Sequence, residues 1–130
     1  MTNEPRDKIY GTLMSEHIAL IPGELPRDAV GLWQIVPAGR DGFGLHGAAL
    51  TDFVRRGIGA LLDAGAVPVR HDPASAYEWD QQKQYGSSSE GIISAVIAEW
   101  LKMPDDPLVL CGEGVWFARP RPGKLYVKIV

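Results

Sequence analysis

The longest regular hydrophobic pattern in the chain covers residues 47–64 and predicts an amphipathic helix. Gly65 follows it at the position where helices commonly end in a left-handed residue. Gly57 and Gly59 lie inside the pattern and cost about 1 kcal/mol each relative to Ala, so we expect another backbone to pack closely against them. The apolar positions recur at intervals of three and four: Leu50, Phe53, Val54, Ile58, Leu61 and Leu62.

A second helix is predicted over residues 88–102. Ser87 and Glu90 have the S-x-x-E spacing of a capping box, in which each side chain satisfies a backbone N–H of the other residue. Pro104 ends the helix. Its broad apolar face marks it as part of the core.

Short apolar runs predict strands elsewhere in the chain. Residues 66–69 form one, and Pro68 places it at a sheet edge or puts the proline among its first residues. Residues 108–111 and 115–118 flank a glycine-bearing connection, which predicts a hairpin, and residues 125–130 form a last strand. The fold class is therefore α+β: two or three helices packed on a small, mainly antiparallel sheet with a C-terminal hairpin or meander.

Two N-terminal segments allow both a helical and an extended interpretation. Before residue 25, helical spacing of apolar residues competes with a short strand at residues 18–21. In residues 26–36, Pro26 and Asp28 suit the start of a helix, whereas the apolar run of residues 32–36 between Gly31 and Pro37 suits a buried strand. The helix is favoured slightly.

Composition limits the class of protein. One globular domain spanning residues 1–130 is expected, because 45% hydrophobic and 22% charged residues are ordinary for such domains. A net charge of −3 argues against nucleic acid as a direct ligand. No membrane-spanning or secretory segment is predicted. The single cysteine, Cys111, falls in an apolar run and suits a small buried residue in a reducing cytoplasm.

Residues 42–47 match G-x-G-x-x-G, a motif that binds dinucleotides only between a strand and a helix. If residues 26–36 are helical, no strand precedes Gly42. The acidic residue that such a site needs about 20 positions later is also missing, since Asp72 lies about 30 positions beyond Gly42. A tight turn at Gly42 with a helix beginning at Gly47 is the favoured interpretation.

The histidines form no metal-binding pattern, and the serines form no nucleophile motif. His17, His46 and His71 are far apart and lack metal-ligand spacing, so neither a metal nor a cofactor is expected. A small enzyme, or a domain that binds a nucleotide or another ligand, using the Gly42 to Gly47 turn together with His71 and Asp72, is kept as the alternative function.

Residues 71–89 are polar and rich in turn-forming residues, which predicts a long loop. Acidic and aromatic side chains alternate along it, and such side chains supply anchors at protein interfaces. The candidate partner-binding residues are Asp72, Tyr77, Glu78, Trp79, Asp80, Tyr85 and Glu90.

Between residues 26 and 120 the chain resembles small bacterial immunity proteins of polymorphic toxin and contact-dependent inhibition systems. The resemblance rests on the runs at residues 32–36, 39–40, 43–45, 61–69 and 114–118. It implies a non-enzymatic protein that covers the active site of a toxin, such as a nuclease, encoded by a neighbouring gene. The acidic net charge would speed association with a basic toxin domain.

Overall fold

The computed structural model describes residues 4–71, 79–120 and 127–128. The helices are α1 (Met14–Leu20), α2 (Leu32–Pro37), α3 (Gly47–Asp63), α4 (Ser89–Leu101) and α5 (Pro107–Glu113). The strands are β1 (Val30–Gly31), β2 (Val67–His71), β3 (Trp79–Gln81), β4 (Trp116–Ala118) and β5 (Val127–Lys128). Short 3-10 turns occupy Ile21–Glu24 and Lys83–Tyr85, and a π-helical turn occupies Ala38–Gly42.

The strands form one sheet in the order β1-β4-β2-β3-β5. All pairings are antiparallel except β3 with β5, which is parallel. The predicted α+β class with a mainly antiparallel sheet is therefore confirmed. Pro68 lies in a central strand and not at an edge, but it is the second residue of β2, as the other interpretation required.

The two faces of the sheet have separate apolar clusters. Val30 and Phe117 point into the main core, which also contains the buried residues of all five helices. The opposite face has a smaller cluster of Ala29, Val69, Trp79 and Ala118, with Val67 and Trp116 packed against it. No residue of α1 to α5 belongs to this second cluster, so we call this side of the sheet the outer face.

Helix α3 is the centre of the core and confirms the predicted pattern. Phe53, Val54, Ile58 and Leu61 are completely buried, and Gly65 has the left-handed φ of 91° expected of a residue that ends a helix. Side chains, not another backbone, pack against Gly57. A Cβ on Gly57 would lie 3.2 Å from Ile21 and 3.3 Å from Ile35.

In residues 26–36 the helix interpretation holds only from Leu32 onward, and the strand interpretation of residues 32–36 is wrong because these residues belong to α2. Pro26 does not begin a helix, because the chain is extended at β1 and α2 starts only at Leu32. The amide of Gly31 donates a hydrogen bond of 2.9 Å to the Gln34 side chain, which caps the helix. Residues 18–21 are not a strand either, since α1 continues to Leu20.

Helix α4 is confirmed, but its predicted cap is displaced by one residue. The Ser88 hydroxyl, not that of Ser87, accepts a hydrogen bond of 3.1 Å from the Gly91 amide. Glu90 then lies at the second helical position, so the predicted capping box does not form.

The predicted strand at residues 108–111 is wrong, because this segment belongs to α5. The Asp106 carboxylate accepts a hydrogen bond of 2.9 Å from the Leu108 amide, and Pro107 is the first residue of the helix. The predicted hairpin is therefore absent, although residues 116–118 do form β4. Cys111 is exposed on α5 and not buried.

Candidate functional site

Three of the predicted partner-binding residues, Asp72, Tyr77 and Glu78, lie outside the described residues. The remaining residues take different positions in the fold. Trp79 and Tyr85 are buried, with 8% and 6% of their surfaces exposed. Asp80 is half-buried and Glu90 is exposed. The segment that was predicted to be one long loop contains β3 and a 3-10 turn.

Tyr85 belongs to a hydrogen-bonded ionic network between the sheet and the helices. Its hydroxyl accepts from the Arg70 guanidinium at 2.9 Å and donates to a Glu99 carboxylate oxygen at 2.7 Å. Arg70 also pairs with Glu99 directly and donates to the Glu113 carbonyl at 2.7 Å. Burial raises the pKa of Tyr85 above its ordinary value, so the phenol remains a donor at neutral pH. This network joins β2 to α4 and α5.

A continuous row of four aromatic rings lies along the outer face of the sheet. The ring centroids of Trp33 and Trp116 are 6.1 Å apart, those of Trp116 and Trp79 are 5.2 Å apart, and those of Trp79 and His71 are 5.9 Å apart. These spacings lie in the range of favourable aromatic pairs. We call these four residues the aromatic row.

The pairing of the strands explains why these rings meet. Residues opposite each other in an antiparallel pair share a face of the sheet. Trp116 is opposite both Gly31 and Val69, and Trp79 is opposite His71. Trp33 joins the row from the first turn of α2.

Gly31 provides the space for two of the rings. A Cβ at this position would lie 2.8 Å from Trp116 and 2.8 Å from Trp33. Trp116 is also held by its indole N–H, which donates to the Cys111 carbonyl at 3.2 Å. The two ends of the row are the most accessible, because Trp33 is 37% exposed and His71 is exposed.

A cleft opens beside the row at the end of the sheet. Arg70, His71, Trp79, Cys111, Gly112, Gly114 and Trp116 line it. The Arg70 Nε atom is buried and has no hydrogen-bond partner among the described residues.

The glycine motif has a structural role. The residues before it are helical from Leu32 to Gly42, so the strand that a dinucleotide fingerprint requires is not present there. The Gly42 carbonyl accepts a hydrogen bond of 3.0 Å from the Lys8 amide, and Gly44 has a left-handed φ of 70°. The motif therefore forms a turn that receives the N-terminal segment.

The alternative function combined this motif with His71 and Asp72, but the two parts do not share a cleft. His46 and Gly47 line a cleft with Arg40, Asp105 and neighbouring apolar residues, whereas His71 lines the cleft beside the aromatic row. Asp72 lies outside the described residues. Within the described part of the chain, no group of three or more His, Cys, Asp or Glu side chains could hold a metal ion.

Sequence reasoning singled out Trp79 as a partner-binding residue and His71 only for the alternative function, and it missed Trp33 and Trp116. The available signal was alternation in β4, which turns Phe117 into the core and therefore Trp116 onto the outer face. That signal could not show that Trp33 and Trp79 would meet Trp116, because they belong to different elements.

No protein-family model, curated protein or solved structure matches the chain. Among the described residues, no helix combines the length and the apolar character needed to cross a membrane.

Proposed function

We propose that the chain is a non-enzymatic protein-binding module, and specifically an immunity protein that covers the active site of a bacterial toxin in the cytoplasm. The aromatic row is the observation that carries this proposal. It forms an aromatic surface on the outer face of the sheet, separate from the main core of the fold.

The chemistry of the row suits protein recognition. Tryptophan is enriched among the few residues that dominate binding energy, and Trp33, with 37% of its surface exposed, has apolar area that a partner can cover. Three of the four ring positions lie on paired strands, and Gly31 and the Cys111 carbonyl restrict Trp33 and Trp116. A surface held in this way loses little conformational entropy when a partner docks.

Charge supports a basic partner. The chain carries a net charge of −3, and Glu90 is exposed in the first turn of α4. Trp79 belongs both to the aromatic row and to the predicted acidic and aromatic stretch. The other residues of that stretch, Asp72, Tyr77, Glu78, Asp80 and Tyr85, stay predictions for contact with the partner. Asp80 and Tyr85 do not lie beside the row, because Asp80 is opposite Arg70 in the sheet and Tyr85 packs in the main core. Complementary charge would increase the association rate with a cationic toxin domain.

The test is binding to the catalytically inactivated C-terminal domain of a toxin encoded by the neighbouring gene, measured by surface plasmon resonance. Trp33→Ala should weaken binding at least tenfold, because it removes the most exposed tryptophan of the row. Leu20→Ala is the matched control, since Leu20 is 69% exposed on α1 and lies outside the row. Glu90→Lys should slow association at low salt.

Circular dichroism must show that each variant is folded. Wild-type protein that fails to bind the domain, or to protect cells that produce the active toxin, would contradict the immunity function. Equal affinities of Trp33→Ala and wild type would remove the aromatic row from the interface.

A further inference from the structure

The turn at residues 7–11 presents two large apolar side chains to solvent. Ile9 is 79% exposed and Tyr10 is 84% exposed. They are adjacent in sequence at the tip of the turn. A partner that covered these two side chains would gain the free energy of burying their apolar surface.

The backbone of the turn is held by its own hydrogen bonds. One carboxylate oxygen of Asp7 accepts from the amides of Ile9 and Tyr10, each at 2.8 Å. The Gly11 amide donates to the Asp7 carbonyl at 2.9 Å, and the Asp7 amide donates to the Thr12 carbonyl at 2.8 Å. Gly11 has the left-handed φ of 71° that closes the turn. Ile9 and Tyr10 are therefore displayed on a preformed loop.

The body of the protein supports the base of this turn. The Lys8 amide donates to the Gly42 carbonyl at 3.0 Å, and a Cβ on Gly42 would lie 3.0 Å from the second Asp7 carboxylate oxygen. The Met14 amide donates to the Pro5 carbonyl at 3.0 Å, which ties the turn to the start of α1. Gly42, in the turn formed by residues 42–47, therefore packs against the base of the turn at residues 7–11.

The charges around the tip indicate what kind of surface it fits. Arg6 and Lys8 are exposed on either side of Asp7. The Asp7 carboxylate is occupied by two amides, and the Arg6 guanidinium donates to the Gly11 carbonyl at 3.0 Å. The tip therefore shows an aliphatic and an aromatic side chain next to two cations, on a chain whose net charge is negative.

We propose that the turn at residues 7–11 inserts into a concave apolar pocket of a partner protein that has carboxylates at its rim. A lipid surface fits less well, because membrane-binding elements bury a broad apolar face and this tip offers only two apolar side chains. A rigid tip with a tyrosine matches the anchor residues of protein interfaces, and its fixed backbone reduces the entropy cost of docking.

This inference rests on the proposed function only in taking the toxin domain as the partner. Tyr10→Ala and Ile9→Ala should each weaken its binding at least tenfold, equivalent to about 1.4 kcal/mol, mainly through faster dissociation. Lys8→Glu should speed dissociation, because it places a like charge against the carboxylates at the rim of the pocket, and this effect should be smaller at high salt. Leu20→Ala again serves as the control.

The two proposals fail in different ways. If Tyr10→Ala and Ile9→Ala bind like wild type while Trp33→Ala does not, the role of the turn is refuted and the immunity function stands. If wild-type protein does not bind the toxin domain, the immunity function is refuted. The photo-cross-linking residue p-benzoylphenylalanine is then placed at position 10 of the full chain in growing cells.

The turn proposal requires a cross-link to one protein, at a site with Asp or Glu residues, that disappears with Lys8→Glu. Three results would overturn it: no cross-link, a cross-link to a second copy of this chain, or co-sedimentation with vesicles of anionic phospholipid that Tyr10→Ala abolishes.

Discussion

Replacing Gly31 with alanine should disturb the aromatic row without touching the main core. The new Cβ would lie 2.8 Å from Trp33 and from Trp116, about 0.6 Å inside the 3.4 Å at which ordinary contact begins. The Gly31 backbone, with φ of −105° and ψ of 160°, is one that alanine adopts without strain. The expected effect is therefore a steric one at the two rings.

The size of the effect follows from two opposing contributions. Overpacking of this kind costs about 1–3 kcal/mol, while replacing glycine by alanine at a compatible position stabilises by about 0.4–1 kcal/mol through the unfolded state. Trp116 is held by its hydrogen bond to Cys111, whereas Trp33 is partly exposed, so Trp33 should move. The net destabilisation should be about 1 kcal/mol, which lowers the melting temperature by roughly 3–5 °C for a domain of this size.

Urea denaturation measures the stability change, and near-ultraviolet circular dichroism reports the coupling of the tryptophan rings. Gly23→Ala is the matched control, because a Cβ at Gly23 would have nothing within 4 Å. A Gly31→Ala protein that is as stable as Gly23→Ala and keeps the wild-type near-ultraviolet spectrum would refute the packing of the two rings over Gly31.

Two further predictions concern local hydrogen bonds. Ser88→Ala should destabilise the protein by about 1 kcal/mol through loss of the α4 cap, while Ser87→Ala should change stability by less than about 0.5 kcal/mol. Urea denaturation of both variants measures these changes, and equal effects would contradict the position of the cap. Amide hydrogen bonds from Tyr10 and Ile9 hold the pKa of Asp7 below its ordinary value of 3.8. The ionised Asp7 carboxylate therefore stabilises the fold above pH 3.8, and this stabilisation is lost as the pH falls through the lowered pKa. The difference in urea midpoint between wild type and Asp7→Ala should accordingly narrow below pH 3.8, and a difference that is constant with pH would contradict this role of Asp7.

The helices that were predicted well are those with a repeating apolar pattern. In α3 and α4 the apolar period is itself the cause of helix packing, so the sequence contains the relevant information locally. The run at residues 108–111 is too short to show a period, and its apolar character suggested a strand. The capping residue Asp106 and the first-turn Pro107 were the signals that indicated a helix instead.

The candidate site could be predicted only in small part. Trp79 and Tyr85 lie near each other in sequence, yet Trp79 joins the aromatic row and Tyr85 joins the network with Arg70 and Glu99. Both placements depend on which residues the other elements bring to the same place.

The sequence by itself determined the α+β class and the positions of α3 and α4, because these follow from the period of apolar side chains and from nearby turn residues. Only the tertiary structure decided that Trp33, Trp79 and Trp116 would form one surface, and that Gly42 would support the N-terminal turn. The physical reason is that both features depend on contacts between residues distant in sequence. Strand pairing and helix docking create such contacts, and a local pattern does not record them.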